Sequence, residues 1–192
     1  TLEQIRTVFD AARAAQPASP PHALRIGWVG SQGTATALQL LVAPLSALAR
    51  TVPDIELAVW GCDASAVPAI PGVRVSVTAA YTEAEMIEAM IGLDVGVFPA
   101  PAGLEDYRNR GPLKGLLYMS AALPVVVQRG GELDDIIVQG VSGFTADGTE
   151  EWTQHLTTLA ADPTLRRTMG AAARRARRFR PPSAARSRRS WP

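Results

Sequence analysis

Lys114-Gly-Leu-Leu-Tyr-Met-Ser-Ala-Ala-Leu-Pro-Val-Val-Val127 reads as a helix over 114–121 that ends in a short loop and runs straight into a buried strand, 124–127, opened by Pro124. A lone basic residue stands near the start of that otherwise apolar helix, just after Arg108, Arg110 and the breakers Gly111 and Pro112. The first turn of a helix carries unbonded N–H groups and a partial positive charge, so cations added there build an anion site rather than a stable helix. Lys114 is also the only lysine of the chain. A phosphate-bearing ligand is the first expectation, and a surface cation on a packed helix is the alternative.

Upstream, the pattern of an apolar strand followed by a helix repeats. Leu24-Arg-Ile-Gly-Trp-Val29 is a strand that stops at Gly30-Ser-Gln-Gly-Thr34, and a helix follows with apolar positions 37, 38, 41, 42, 45 and 48, with Pro44 expected to kink it. Ile55–Trp60 and Val73–Val77 are the next strands. A helix over 82–91 is capped by Thr82, with Glu85 at the capping-box position. Asp94-Val-Gly-Val-Phe-Pro99 is a short buried strand, and the polar loop 100–112 is too long for a plain connection, which points to function. Downstream, a helix near 132–138, a short strand Gly143-Phe-Thr145, and closing helices Glu150–Ala161 and Pro163–Arg178 complete the reading. Apolar strands alternating with helices imply an α/β fold, a Rossmann-like doubly wound parallel sheet. Residues 1–21 hold a helix (2–15) and a Pro-rich linker, 22–175 the domain, and 176–192 an arginine-rich tail expected to be disordered.

The 192 residues suit one domain, and 47% hydrophobic with 19% charged residues is ordinary for a globular chain. No apolar run reaches the ~18–20 residues of a membrane span, and residues 1–21 lack the charged-then-apolar pattern expected of a leader. The single cysteine, Cys62, excludes an internal disulfide and suits a reducing, cytoplasmic setting. Net charge is only +1, yet residues 171–192 carry eight arginines and no carboxylate, which leaves the remainder at −7. That tail could meet an anionic membrane surface, placing the protein peripherally at the inner face, or it could simply reflect base composition. Nucleic acid is not expected as a partner.

In open parallel sheets ligands sit beyond the carboxyl ends of the strands, so the segments 30–34, 61–63, 79–82, 99–112 and 128–132 should converge. Gly30, Ser31, Gly33 and Thr34 offer close backbone approach and hydroxyls at a helix start, without a GxGxxG or P-loop pattern. The turn is equally well a structural one. Tyr81 either stacks on a base or is an exposed tyrosine heading a helix. Gly130, Gly131 and Glu132 offer N–H groups to an anion. Glu105 and Asp106 are the only carboxylates of the long loop and read as surface charges, with a catalytic role as the alternative. His22 and His155 lack companions at metal spacing, so no metal is expected, and Cys62 reads as structural.

These segments together resemble the C-terminal domain of family 4 glycosyltransferases of the GT-B type. Arg25-Ile-Gly-Trp-Val-Gly-Ser-Gln-Gly-Thr34 is similar to the first strand and loop of that domain, and Asp94–Pro99 to its strand before the sugar-nucleotide loop. Lys114–Val126 resembles the family's lysine-leucine-leucine-glutamate-tyrosine-methionine-alanine helix and proline-valine-valine strand. Gly130–Phe144 resembles its glycine-rich turn, acidic-isoleucine helix and asparagine-glycine-phenylalanine turn, and Glu150–Gly170 its closing helices. The likeness covers about residues 24–175 in order.

The resemblance implies the C-terminal half of a GT-B fold that binds a nucleoside diphosphate sugar and, with an N-terminal acceptor domain, transfers a hexose with retention. The donor is a substrate, and no cofactor is implied. By position, Gly30, Ser31, Gly33 and Thr34 would line the diphosphate, Arg110 and Lys114 would neutralise it catalytically as it leaves, Tyr81 would face the base, and Gly130, Gly131 and Glu132 the sugar or phosphates. Two departures matter. Many members have two glutamates eight positions apart where this chain has Asn109 and Leu117, and a leucine cannot hold ribose hydroxyls. The helix 2–15 and its linker are also too short to be an acceptor domain, so this chain alone is expected to be inactive. The competing readings are a non-catalytic binding domain that drifted from a glycosyltransferase, and a nucleotide-binding oxidoreductase domain. Trp60-Gly-Cys62, where an acidic residue would be needed, counts against the latter.

Overall fold

A computed structural model describes residues 2–15, 23–100 and 112–176. Six strands, β1 (Leu24–Val29), β2 (Ile55–Trp60), β3 (Val73–Thr78), β4 (Val95–Phe98), β5 (Val125–Gln128) and β6 (Phe144–Ala146), form one sheet in the order β3-β2-β1-β4-β5-β6. Every pairing is parallel. This is the Rossmann-like doubly wound arrangement that apolar strands alternating with helices imply, because a parallel sheet must be covered on both faces.

The helices divide accordingly. On one face, α2 (Val42–Leu48) and α5 (Gly148–Ala161) bury Leu45, Leu48, Trp152, Leu156 and Leu159 against Ile26, Trp28, Leu57, Val95, Val97 and Val126. On the other, α1 (Leu2–Ala15), α3 (Glu83–Ile91) and α4 (Leu113–Ser120) supply Phe9, Met90, Tyr118 and Met119 against Val29, Ala58, Val125 and Val127. Helix α1 packs on α3 and α4, so it is part of this domain's second layer rather than an appendage. The last helix, α6 (Pro163–Arg175), starts where the Asp162 carboxylate accepts the N–H groups of Thr164 and Leu165 at 2.8 and 2.9 Å.

Two local expectations need correction. The segment after β1 is a 3-10 helix over Gln32–Leu41 before it becomes α-helical at Val42, and Pro44 falls in the first turn of α2. Proline has no N–H to donate back into the 3-10 segment, where the Val42 N–H still bonds the Gln39 carbonyl, so Pro44 sits just after the ladder changes. The helix expected near 132–138 is a single 3-10 turn, Glu132–Asp135. Asp134 turns its carboxylate back to the Gly130 N–H at 2.7 Å, the Ile136 and Ile137 N–H groups end the turn on the Leu133 carbonyl, and the Ser142 hydroxyl takes the next donor, the Val138 N–H, at 2.9 Å. The arginine-rich tail over 177–192, like Arg110 and the loop 101–111, lies outside the described residues.

Candidate functional site

The sheet reverses its winding between β1 and β4, and the crevice of such a fold opens there, at the carboxyl ends of the strands. The two strands part early. The β1–β2 ladder runs through Val29↔Trp60, whereas β1 and β4 are paired only at Ile26↔Val95 and Gly27↔Gly96. The N–H of Val29 donates instead to the buried hydroxyl of Tyr118, at 2.7 Å. Tyr118 is wholly inaccessible, and burial pushes its hydroxyl pKa well above the usual value. Its ring reaches this position over Gly96, where any Cβ would lie 2.6–2.9 Å from ring carbons.

The glycine turn follows β1 directly. Gly30 donates to the Trp60 carbonyl at 2.9 Å, and the Trp28 ring fills the space where a Gly30 side chain would stand. Ser31 and Thr34 close the turn on each other. The Ser31 N–H donates to the Thr34 hydroxyl at 3.0 Å, while Thr34 donates its N–H and hydroxyl to the Ser31 carbonyl at 2.8 and 3.0 Å. Gly33 is exposed and faces open space, with nothing within 4 Å of where a Cβ would be. Backbone at Gly33, rather than the Thr34 hydroxyl, is thus the part of the turn a ligand could approach.

Neighbouring loops close around this turn. The Gln32 side chain accepts the Asp63 N–H at 2.9 Å, tying the turn to the loop after β2. Gly61 has φ +93° and its missing side chain leaves room for the Gly30 carbonyl and the Tyr81 ring. Tyr81 is half-buried there and, like Met86, Phe98 and Leu117, packs against the core on the α1, α3 and α4 face of the sheet. Lys114 enters from the first turn of α4, and its Nζ lies 5.9 Å from the centroid of the Trp28 ring. An ammonium over the face of an indole is held by the ring's quadrupole. Gly30, Ser31, Gly33, Thr34, Tyr81 and Lys114 therefore stand together around the end of β1.

The turn 129–132 lies on the same edge, beyond β4, at the end of β5. The Asp134 carboxylate already occupies the Gly130 N–H, and Gly131 and Glu132 are half-buried. The turn is braced from below, where Gln128 donates to Asp147 at 3.2 Å and accepts from the Trp152 indole at 3.4 Å. Arg129 pairs with Glu151 at 2.6 Å. The Asp147 N–H and this arginine hold the Glu151 carboxyl below its usual pKa. Cys62 is buried, with its thiol pushed up by burial and by Asp63, as an inert core group should be.

Sequence reasoning missed Trp28 as the seat of Lys114 and missed the Tyr118 hydroxyl. The available signals were the i, i+4 spacing of Lys114 and Tyr118, which puts both on one face of a helix, and the glycine in the middle of Val95-Gly-Val-Phe98.

No curated protein matches the chain. Solved structures do resemble the fold. The C-terminal domain of a glycosyl transferase group 1 family protein (LpcC) from Francisella tularensis superposes with a TM-score of 0.58 at 14% identity, over 92% of this chain and 90% of that one. A glycosyltransferase from Rickettsia africae gives 0.61 at 15% identity, over 92% and 47%. S. aureus TarM, solved as a variant in complex with fondaparinux, alpha-GlcNAc-glycerol and UDP, gives 0.61 at 13% identity, over 84% and 34%. The chain thus spans between a third and a half of the full-length relatives, and nearly all of the isolated C-terminal domain, so the architecture is that of a GT-B C-terminal domain. The family profile of the glycosyl transferases group 1 matches residues 23–162, which contain the sheet, the glycine turn and Lys114, and the chain belongs to that family.

Proposed function

We propose that this chain is the donor-binding half of a retaining, family 4-type glycosyltransferase, and that the crevice between β1 and β4 takes the diphosphate of a nucleoside diphosphate sugar. The observation that carries this reading is Lys114 seated over Trp28, whose ring also lies against Gly30 at the start of the turn that exposes the Gly33 backbone. A fixed cation next to approachable N–H groups is what a diphosphate needs as negative charge builds on it during departure. Arg110 would add a second cation from the adjoining loop, Tyr81 would flank the base, and Gly131 and Glu132 would meet the sugar. Each charge-assisted contact contributes roughly 1.5–3 kcal/mol. Lys114→Ala should therefore weaken binding of uridine or guanosine diphosphate at least about tenfold in calorimetry, with the circular dichroism spectrum unchanged. Equal affinity in parent and variant would remove Lys114 from the site.

Leu117 favours a second reading. It stands where many family members have the glutamate that grips ribose, and it is half-buried in an apolar cluster with Phe98 and Tyr81. A drifted, non-catalytic domain would show no thermal shift with any nucleoside diphosphate at millimolar concentration, whereas a donor site weakened by Leu117 would still show one. As to the membrane, no helix among the described residues is long and apolar enough to cross one. A peripheral role would rest on the arginines from 177 to 189, since Arg174 is bound to Asp10 and the Arg6 carbonyl, at about 1 kcal/mol per basic residue near an anionic surface. Sedimentation with anionic liposomes should fall sharply when residues 176–192 are deleted, and equal binding by both forms would discard that role.

A further inference from the structure

We infer that Tyr118 is a positioning residue for the anion site, setting the distance between Lys114 and the glycine turn from beneath; the inference rests on the diphosphate reading above. Three observations carry it. First, the hydroxyl does a strand's work: it takes the N–H of Val29, the last residue of β1, at the point where the β1–β4 ladder has already ended. A donor at that depth left without a partner is costly, so the bond fixes where β1 ends relative to α4. Second, Tyr118 lies one helical turn after Lys114, so both project from the same face of α4. The helix is thereby pinned at Val29 by one side chain and reaches Trp28 with the other. Third, Gly96 leaves a berth for the ring in the middle of β4, with no room for a Cβ.

Tyr118 is fully buried and cannot itself touch a ligand. Its effect must pass through the residues it holds, namely the turn beginning at Gly30 and Lys114. Without the hydroxyl, β1 and α4 keep their apolar packing but lose the bond that fixes their relative height. Lys114 and the Gly33 backbone would then meet a diphosphate in a broader range of geometries, and part of the binding free energy would go into restoring one of them.

The test is a double-mutant cycle read by calorimetry with uridine diphosphate, on the full chain, using Tyr118→Phe, Lys114→Ala and the pair. Tyr118→Phe removes only an oxygen, and it should weaken binding roughly three- to tenfold. In the Lys114→Ala background the same change should have a markedly smaller effect, because the residue it positions is gone. A purely structural role would lower the melting temperature equally in both backgrounds and leave affinity alone. If Lys114→Ala weakens binding and Tyr118→Phe does not, or if the two effects simply add, the inference fails while the site reading stands. If the parent does not bind, or Lys114→Ala binds like the parent, the site reading fails and takes the inference with it. Should Tyr118→Phe not fold, 3-fluorotyrosine incorporated at the three tyrosines gives a second readout. The Tyr118 fluorine resonance should shift on addition of uridine diphosphate in the parent and not in Lys114→Ala, and a resonance that never moves overturns the inference.

Discussion

Gly33 and Gly61 sit on the same edge of the sheet, and the chain asks opposite things of them. Gly61 has φ +93°, and a side chain there would run into the Gly30 carbonyl and crowd Tyr81. Gly61→Ala should therefore cost well over 1 kcal/mol, combining a backbone conformation that L-residues resist with a clash against backbone that cannot retreat. Gly33 has neither problem, since it lies in a helical turn facing open space. Gly33→Ala should leave stability unchanged or raise it by up to about 1 kcal/mol, while a methyl group on the approach path weakens nucleoside diphosphate binding. Urea unfolding and calorimetry on the two variants check both halves; a Gly33→Ala variant that binds like the parent would move the ligand away from the turn. The sequence exposed the Gly30–Thr34 turn and Gly61 because each ends an apolar strand, and Lys114 because it stands in an otherwise apolar helix. It concealed Tyr118 and Trp28, since an aromatic residue on an apolar face looks the same whether it fills a core or places a hydroxyl on a strand end.

At the scale of elements, β1, β2, β4 and β5 were legible because burial leaves them few polar residues, and the edge strand β3 because its valines alternate with exposed polar residues; all six strands lie within a residue or two of where they are read in the sequence. The 3-10 segment over Gln32–Leu41 was not legible, because the spacing of its apolar positions is equally good for an α-helix. The turn at 132–135 was hidden for another reason: whether an aspartate continues a helix or caps the preceding loop depends on where its carboxylate ends up. Helix α3 shows the opposite case, in which the side chains at its start spell out the boundary. The Glu85 carboxylate accepts the Thr82 N–H at 2.7 Å and the Thr82 hydroxyl at 2.8 Å, and these bonds hold its pKa below the usual range. A carboxyl depressed in the folded state contributes stability that is complete above its unfolded pKa, about 4.3, and that is lost as pH falls through the folded value. Glu85→Gln should accordingly be less stable than the parent at pH 7, and the gap should narrow in acid as the pH falls below the unfolded value. A gap that is the same at pH 7 and in acid in urea titrations would show that the charge of Glu85 plays no part in the cap.

For the molecule as a whole, the decisive point is that the site lies on one edge of one domain. The segments that follow β1, β3 and β4 bring the Gly30–Thr34 turn, Tyr81 and Lys114 to the carboxyl edge of one sheet. Collecting a diphosphate needs only this wall, since fixed charge and backbone N–H groups act on the ligand directly. Transfer needs more. Donor and acceptor must be held in reacting geometry, and such positioning can supply roughly 7–11 kcal/mol of barrier reduction. In the proposed reading that second surface belongs to an acceptor domain, consistent with the chain spanning 47% and 34% of the Rickettsia and TarM proteins it resembles in fold. Residues 1–192 by themselves should therefore give a thermal shift with uridine or guanosine diphosphate at millimolar concentration. With the matching sugar donor they should show no acceptor-dependent release of nucleotide. In the proposed reading Leu117, which cannot accept ribose hydroxyl protons, would push that binding further toward the weak end. Robust transfer by these residues alone would mean that the single wall positions both substrates, and the division of labour between two domains would have to be abandoned.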